Sequence, residues 1–322
     1  MDDLNNFKKG GNLPPERSPY EIKTFRDIPS ENLVTGGHGT CSGCGPAIGL
    51  RLALLALGRK TIIINSAGCF TLQPTYPHNP FKVPWIHLAI ENAGAAAIGI
   101  YHGLKAQGRE KDVTILAYIG DGATYDIGLQ SLSHACEQKT NFIYVCYDNQ
   151  NFANTGVQRS SATPEKAYTT TTPVGKKMRG NPFRRKPITK IIAAHEIPYV
   201  ATACVSHPMD FMNKLRKAQK IKGTKFIDLL SPCQPGWGFE TFQAVQIGKA
   251  AVESGAWPLY EIENGKFALN YKPEKLKPIK DYLFMQKRFK HLTQTEAARI
   301  QSIVSREWEL LSQGKFWDAA EY

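Results

Sequence analysis

From about residue 45 to residue 255, short continuously apolar runs alternate with longer stretches of helical period, and this alternation restricts the fold more than any other feature. Strands of a parallel sheet are covered by helices on both faces, so they read as unbroken apolar runs instead of alternating ones. Residues 61–65, 113–119, 142–147, 199–205 and 225–230 are the strand candidates, and 47–57, 87–106, 126–138 and 210–221 are helical candidates. The simplest arrangement is a doubly wound, mostly parallel α/β sheet over residues 41–255.

Three segments break the rhythm. Residues 1–40, rich in Pro, Gly and charge, are expected to form an N-terminal arm. Residues 150–188 form a Thr-, Gly- and Pro-rich stretch without periodicity, and connections of that length inside a domain are usually functional. Residues 256–322 read as a C-terminal extension: a hairpin over 259–271 turning at Asn264-Gly265, a Lys- and Pro-containing connector, and an amphipathic helix from Thr293 to about Leu311.

Apolar residues at 42% and charged residues at 21% exclude a disordered chain. No apolar run reaches 18 residues and the N-terminus Met1-Asp2-Asp3-Leu4 lacks signal-peptide character, so a cytoplasmic location and no membrane contact are expected. Seven cysteines in such a chain argue for metal ligation or catalysis over disulfides. The net charge of +12 attracts anions. Two basic stretches, from Lys176 to Lys190 and from Lys266 to Lys290, carry much of it, either as solvated faces or as surfaces for nucleic acid, an acidic protein or phosphorylated small molecules.

Gly120-Asp121-Gly122 stands at the end of the strand run 113–119, where glycines let backbone amides approach a diphosphate and a carboxylate can hold Mg²⁺. Tyr147-Asp148-Asn149-Gln150-Asn151 follows the next strand, with 26 residues between Gly122 and Asn149. One strand–helix–strand unit fills that gap, bringing Asp121 and Asn149 to the same sheet edge. An Asp carboxylate, an Asn amide oxygen and a backbone carbonyl near Asn151 suit a small oxygen-seeking ion. This pattern resembles the signature of thiamine-diphosphate enzymes, with Gln150 where a second Asn is usual; the group supplying the later ligand stays open.

Cys41-Ser42-Gly43-Cys44 is compatible with a redox pair, half a zinc site or part of an iron–sulfur cluster. Further ligand candidates are Cys69 and Cys233, which follow strand runs in Gly- or Pro-containing turns. Cys136, Cys146 and Cys204 fall inside regular elements and read as small buried hydrophobes.

Together with the loop Asn154-Thr155-Gly156-Val157-Gln158-Arg159-Ser160-Ser161-Ala162-Thr163-Pro164, these motifs resemble the β subunit of pyruvate:ferredoxin oxidoreductases, over about residues 35–290. The resemblance implies a thiamine-diphosphate-binding fold and a [4Fe-4S] cluster on Cys41, Cys44, Cys69 (25 residues after Cys44) and the distant Cys233. It also implies Mg²⁺ at Asp121, Asn149 and Asn151, cofactor contacts from Gly120 and Gly122, and Asn154 near the thiazolium as the catalytic residue. The activity implied is oxidative decarboxylation of a 2-oxoacid, pyruvate first, with CoA as co-substrate and ferredoxin as electron acceptor. Other subunits are implied as partners, one of them bringing the activating Glu. Branched-chain, aromatic and other 2-oxoacids stay open as substrates. A basic zinc protein associated with nucleic acid is the rival reading; it leaves the Gly120 and Asn149 motifs without a use.

Overall fold

The computed structural model describes residues 21–74 and 77–319, so residues 1–20 of the expected arm and 320–322 of the expected extension lie outside the described residues. Among the described residues one mixed sheet organises the chain: β1 (Thr61–Ser66), β2 (Trp85–Leu88), β3 (Thr114–Gly120), β4 (Phe142–Asp148), β5 (Tyr199–Cys204), β6 (Thr224–Leu230), β7 (Tyr260–Glu263) and β8 (Lys266–Leu269). Their spatial order is β2-β1-β3-β4-β6-β5-β7-β8. Pairings from β2 through β5 are parallel, whereas β7 runs antiparallel to β5 and β8 antiparallel to β7. From β1 the chain moves first to β2 on one side and then to β3 on the other, and such a reversal opens a crevice at the carboxyl ends of the strands.

The helices are α1 (Gly45–Leu57), α2 (Ala93–Ala106), α3 (Leu129–Glu137), α4 (Ile188–Ala193), α5 (Pro208–Lys220), α6 (Gln234–Trp237), α7 (Ala244–Glu253), α8 (Ile279–Leu283) and α9 (Gln294–Ser312). β4 shows why both sheet faces must be covered: Ile143, Val145 and Tyr147 enter the core under α1 and α5, while Phe142, Tyr144 and Cys146 enter the core under α2 and α3. Cys136 joins that second core and Cys204 a third, as small buried side chains. The third core gathers Trp237, Ile247, Trp257, Leu283, Phe289 and Val304, so α6 to α9 pack against the β5–β6 end of the sheet. Ile22, Leu33 and Val34 are buried in the first core.

Two helical expectations shift. The stretch 87–106 splits into the edge strand β2, whose Ile86 and His87 pair with Ile64 and Asn65, and a helix starting only at Ala93. His87 Nδ1 lies 2.6 Å from Asn65 Oδ1, a cross-strand contact that period counting does not reveal. The stretch 126–138 begins earlier, as a π-helical turn over Gly122–Ile127, before α3. Gly128 N donates to Ala123 O at 2.7 Å, the five-residue bond that makes the turn π-helical. At the other end of the sheet, Asn264 and Gly265 adopt positive φ (47° and 77°), the backbone a tight hairpin turn requires.

Candidate cofactor site

Asp121, Asn149 and the residues after Asn149 emerge from the adjacent ends of β3 and β4, where Gly120 pairs with Tyr147. Asp121 is buried; its Oδ1 accepts from Asn149 N at 3.3 Å and its Oδ2 accepts from the Ser160 hydroxyl. Gly122 is next in the chain, and a Cβ there would fall 2.2–2.7 Å from the Phe152 ring, a gap that only glycine leaves open. Asn149 Oδ1 accepts from Asn151 N at 3.3 Å, and Asn151 Nδ2 donates to Asn149 O at 2.7 Å. The Asn151 Oδ1 is buried without a hydrogen-bond partner.

Negative charge is concentrated here. Burial, with the nearby Asp148 adding to it, raises the Asp121 carboxyl well above the usual carboxylate range. Burial likewise raises Asp148, opposed by Arg185 and reinforced by Asp228. Arg185 Nη2 lies 2.8 Å from Asp148 Oδ2 and 2.6 Å from Asp228 Oδ2, beneath the site. A carboxyl whose ionised form is penalised by burial, next to a buried amide oxygen with a free lone pair, fits a divalent cation that would supply the missing positive charge. Asp121, Asn149 and Asn151 are therefore compatible with Mg²⁺ on a diphosphate. Gln150 turns away: at a φ of 62° its Oε1 accepts from Arg288 Nη2 at 2.6 Å.

The four candidate cysteines surround the same corner. Cys44 is the N-cap of α1, with its N donating to Cys41 O at 3.2 Å, and Gly45 N donates to Pro232 O at 3.1 Å, beside Cys233. Cys69 opens the turn after β1, and Cys233 caps the four-residue α6 after β6. Burial pushes the Cys233 thiol up to about 12 and raises Cys44 to about 11. It also raises Cys69, to which Cys233, Cys44, Asp121 and Cys41 add in turn. These sulfurs thus feel one another and Asp121. Among the described residues no three His, Cys, Asp or Glu side chains converge closely enough to hold one metal ion. Thiols that share a field without meeting at a point fit the wider frame of a multi-iron cluster, whose positive iron would bring them to thiolates.

The two groups are neighbours across Gly236. A Cβ on Gly236 would stand 2.7 Å from Asn151 Nδ2 and 3.0 Å from Cys233 Sγ, so the Asn149–Asn151 loop and the Cys233 turn press on one glycine. Trp237 Nε1 donates to Asn149 O at 2.8 Å. The Tyr147 hydroxyl stands about as close to Gly68, before Cys69, as to Gly120, before Asp121. Asn154 lies apart from these contacts, exposed on a turn closed by Phe152 N donating to Gln158 O at 2.9 Å.

Residues 150–188 form no helix or strand below α4, yet much of the stretch is buried. Thr163 Oγ1 donates to Gln150 O at 2.7 Å, Asn181 Nδ2 to Thr163 O at 2.8 Å, and Ser161 N to Asp126 Oδ2 at 3.0 Å. Sequence reasoning missed Ser160, Trp237, Arg185 and Arg288 as parts of the site. The two arginines sit in the basic stretches read as surface; the neighbouring Lys176, Lys177, Lys287 and Lys290 are exposed, but Arg185 and Arg288 are buried. Their aromatic covers, Trp257 and Trp237, are tertiary contacts of which the sequence carries no signal.

A mostly parallel sheet with buried carboxyl and amide groups at the carboxyl ends of adjacent strands fits a diphosphate-cofactor enzyme of the thiamine class. In agreement, residues 66–229 match the thiamine pyrophosphate enzyme C-terminal TPP-binding domain. The chain is 50% identical over 278 residues to the pyruvate synthase subunit PorB of Methanothermobacter thermautotrophicus, covering 86% of this chain and 96% of that one. It is 43% identical over 300 residues to the ketoisovalerate oxidoreductase subunit VorB of Pyrococcus horikoshii, covering 91% and 96%. A 2-oxoglutarate:ferredoxin oxidoreductase from Magnetococcus marinus shares the fold, with a TM-score of 0.55 at 18% identity over 87% of this chain and 99% of that one. The chain belongs to the thiamine-binding subunits of the 2-oxoacid:ferredoxin oxidoreductase family.

Proposed function

We propose that this chain holds Mg²⁺-thiamine diphosphate and one [4Fe-4S] cluster side by side and, with its partner subunits, converts pyruvate and CoA to acetyl-CoA and CO₂ or the reverse. The observation that carries this reading is the contact at Gly236, where Asn151 and Cys233 meet. Thiamine diphosphate, when bound, supplies the carbanion and electron sink for breaking the bond between the 2-oxo carbon and its carboxylate. A four-iron cluster accepts one electron at a time, which suits delivery to ferredoxin.

The chain's own residues bind and orient. Asp121, Asn149 and Asn151 would hold Mg²⁺, Gly120 and Gly122 would let the backbone approach the diphosphate, and Cys41, Cys44, Cys69 and Cys233 would hold the cluster. Asn154, exposed on its turn, is available to contact the thiazolium and substrate once the pocket is completed by another subunit. That subunit would also bring the activating Glu, and the exposed lysines suit CoA phosphates or an acidic ferredoxin.

Pyruvate is favoured over branched-chain 2-oxoacids because the relatives at 45–50% identity are named pyruvate synthase subunits, and the ketoisovalerate ones stand at 42–43%. Asp121→Ala tests the cofactor assignment: it should abolish thiamine diphosphate retention and leave the iron–sulfur spectrum intact. Normal Mg²⁺-dependent retention by this variant defeats the assignment.

A further inference from the structure

Arg288 reaches both halves of the corner. Its guanidinium lies 3.9 Å over the Trp237 ring, and Trp237 sits one turn after Cys233, its N donating to Cys233 O at 2.9 Å. On the other side Nη2 donates to Gln150 Oε1 at 2.6 Å, and Nε donates to Gln286 Oε1 at 2.8 Å. Arg288 is 3% exposed, and a guanidinium keeps its proton at any ordinary pH. Its charge is therefore fixed, weakly screened by solvent, and anchored by neutral amide oxygens at a defined place.

We propose that Arg288 is a positioning residue that raises the reduction potential of the cluster on Cys41, Cys44, Cys69 and Cys233; this rests on the cluster assignment above. One-electron reduction of a cluster held by these four thiolates would add one unit of negative charge to it. A fixed cation in a low-dielectric setting stabilises the reduced form more than the oxidised one, so electron acceptance becomes more favourable. The same guanidinium pins Gln150 in its left-handed conformation, fixing Asn149 and Asn151 on either side.

The test is an EPR-monitored redox titration of the full chain purified anaerobically. Arg288→Gln should keep the iron content and shift the midpoint to more negative potential, and Arg288→Lys should restore most of the shift. Gln286→Glu, which offsets the guanidinium charge while leaving its packing on Trp237, should shift it the same way, and it decides the matter if Arg288→Gln does not assemble. A loaded Arg288→Gln or Gln286→Glu chain that titrates at the wild-type potential overturns the proposal while the cluster assignment stands. A wild-type chain without a four-iron cluster overturns both.

Discussion

Arg185 shows what a single buried side chain does for this site. It lies over the Trp257 ring at 4.2 Å and bridges Asp148 and Asp228, two carboxylates on adjacent strands with no exposed surface. Without it, both must be protonated or pay the cost of an uncompensated buried charge. Arg185→Met should therefore destabilise the fold by about 3–5 kcal/mol, read as a lowered denaturant midpoint at unchanged slope. Adding Asp228→Asn should recover part of the loss. A cost below about 1 kcal/mol would show that the ion pairs do not hold the loop. At this scale Asp121, Asn149 and the four cysteines stood out by residue type and spacing, and the fold brings them to one corner. Arg185 and Arg288 were not, since a cation in a basic run is indistinguishable from a solvated one until its aromatic cover is known.

Among elements, α9 was legible almost to the residue. Thr293 Oγ1 accepts from Glu296 N at 3.2 Å, and Glu296 Oε2 accepts from Thr293 N at 2.9 Å, the reciprocal cap that Thr-x-x-Glu before an apolar stripe announces. Thr293→Ala should cost about 1 kcal/mol in thermal or chemical unfolding. Glu296 also binds Arg179 at 3.0 Å, and Arg179, ahead of the cap contacts, holds its carboxyl down to about 2 from the ordinary 4.5. The folded state thus binds this proton more weakly than the unfolded chain. The contribution is present above pH 4.5 and disappears as pH falls through about 2, and Glu296→Gln should flatten that part of the stability–pH curve. An unchanged curve would place the acid sensitivity elsewhere. The edge strand β2 was misread because a four-residue strand gives little period, and its pairing to β1 is a tertiary fact. The stretch 150–188 had no period to read: its order comes from side chains such as Asn181 and Ser160 bonding across the loop and to β3.

At the scale of the whole molecule, the sheet gathers both candidate cofactor-binding groups at one end of its parallel strands, leaving Asn154 and Cys41 exposed there. On the proposal that a partner subunit brings the activating Glu, the chain alone should show no 2-oxoacid decarboxylation, with activity appearing only on adding partner subunits. Turnover by the isolated chain would contradict this. The account's central claim is that the four cysteines carry a cluster next to the thiamine site. Iron and acid-labile sulfide, quantified in the chain purified anaerobically and free of partners, test it most directly. The account predicts about four of each per chain with a broad visible absorption band, lost in Cys233→Ala and retained in Cys136→Ala. A colourless chain holding zinc or no metal, or one that loses its iron in Cys136→Ala and keeps it in Cys233→Ala, would contradict it.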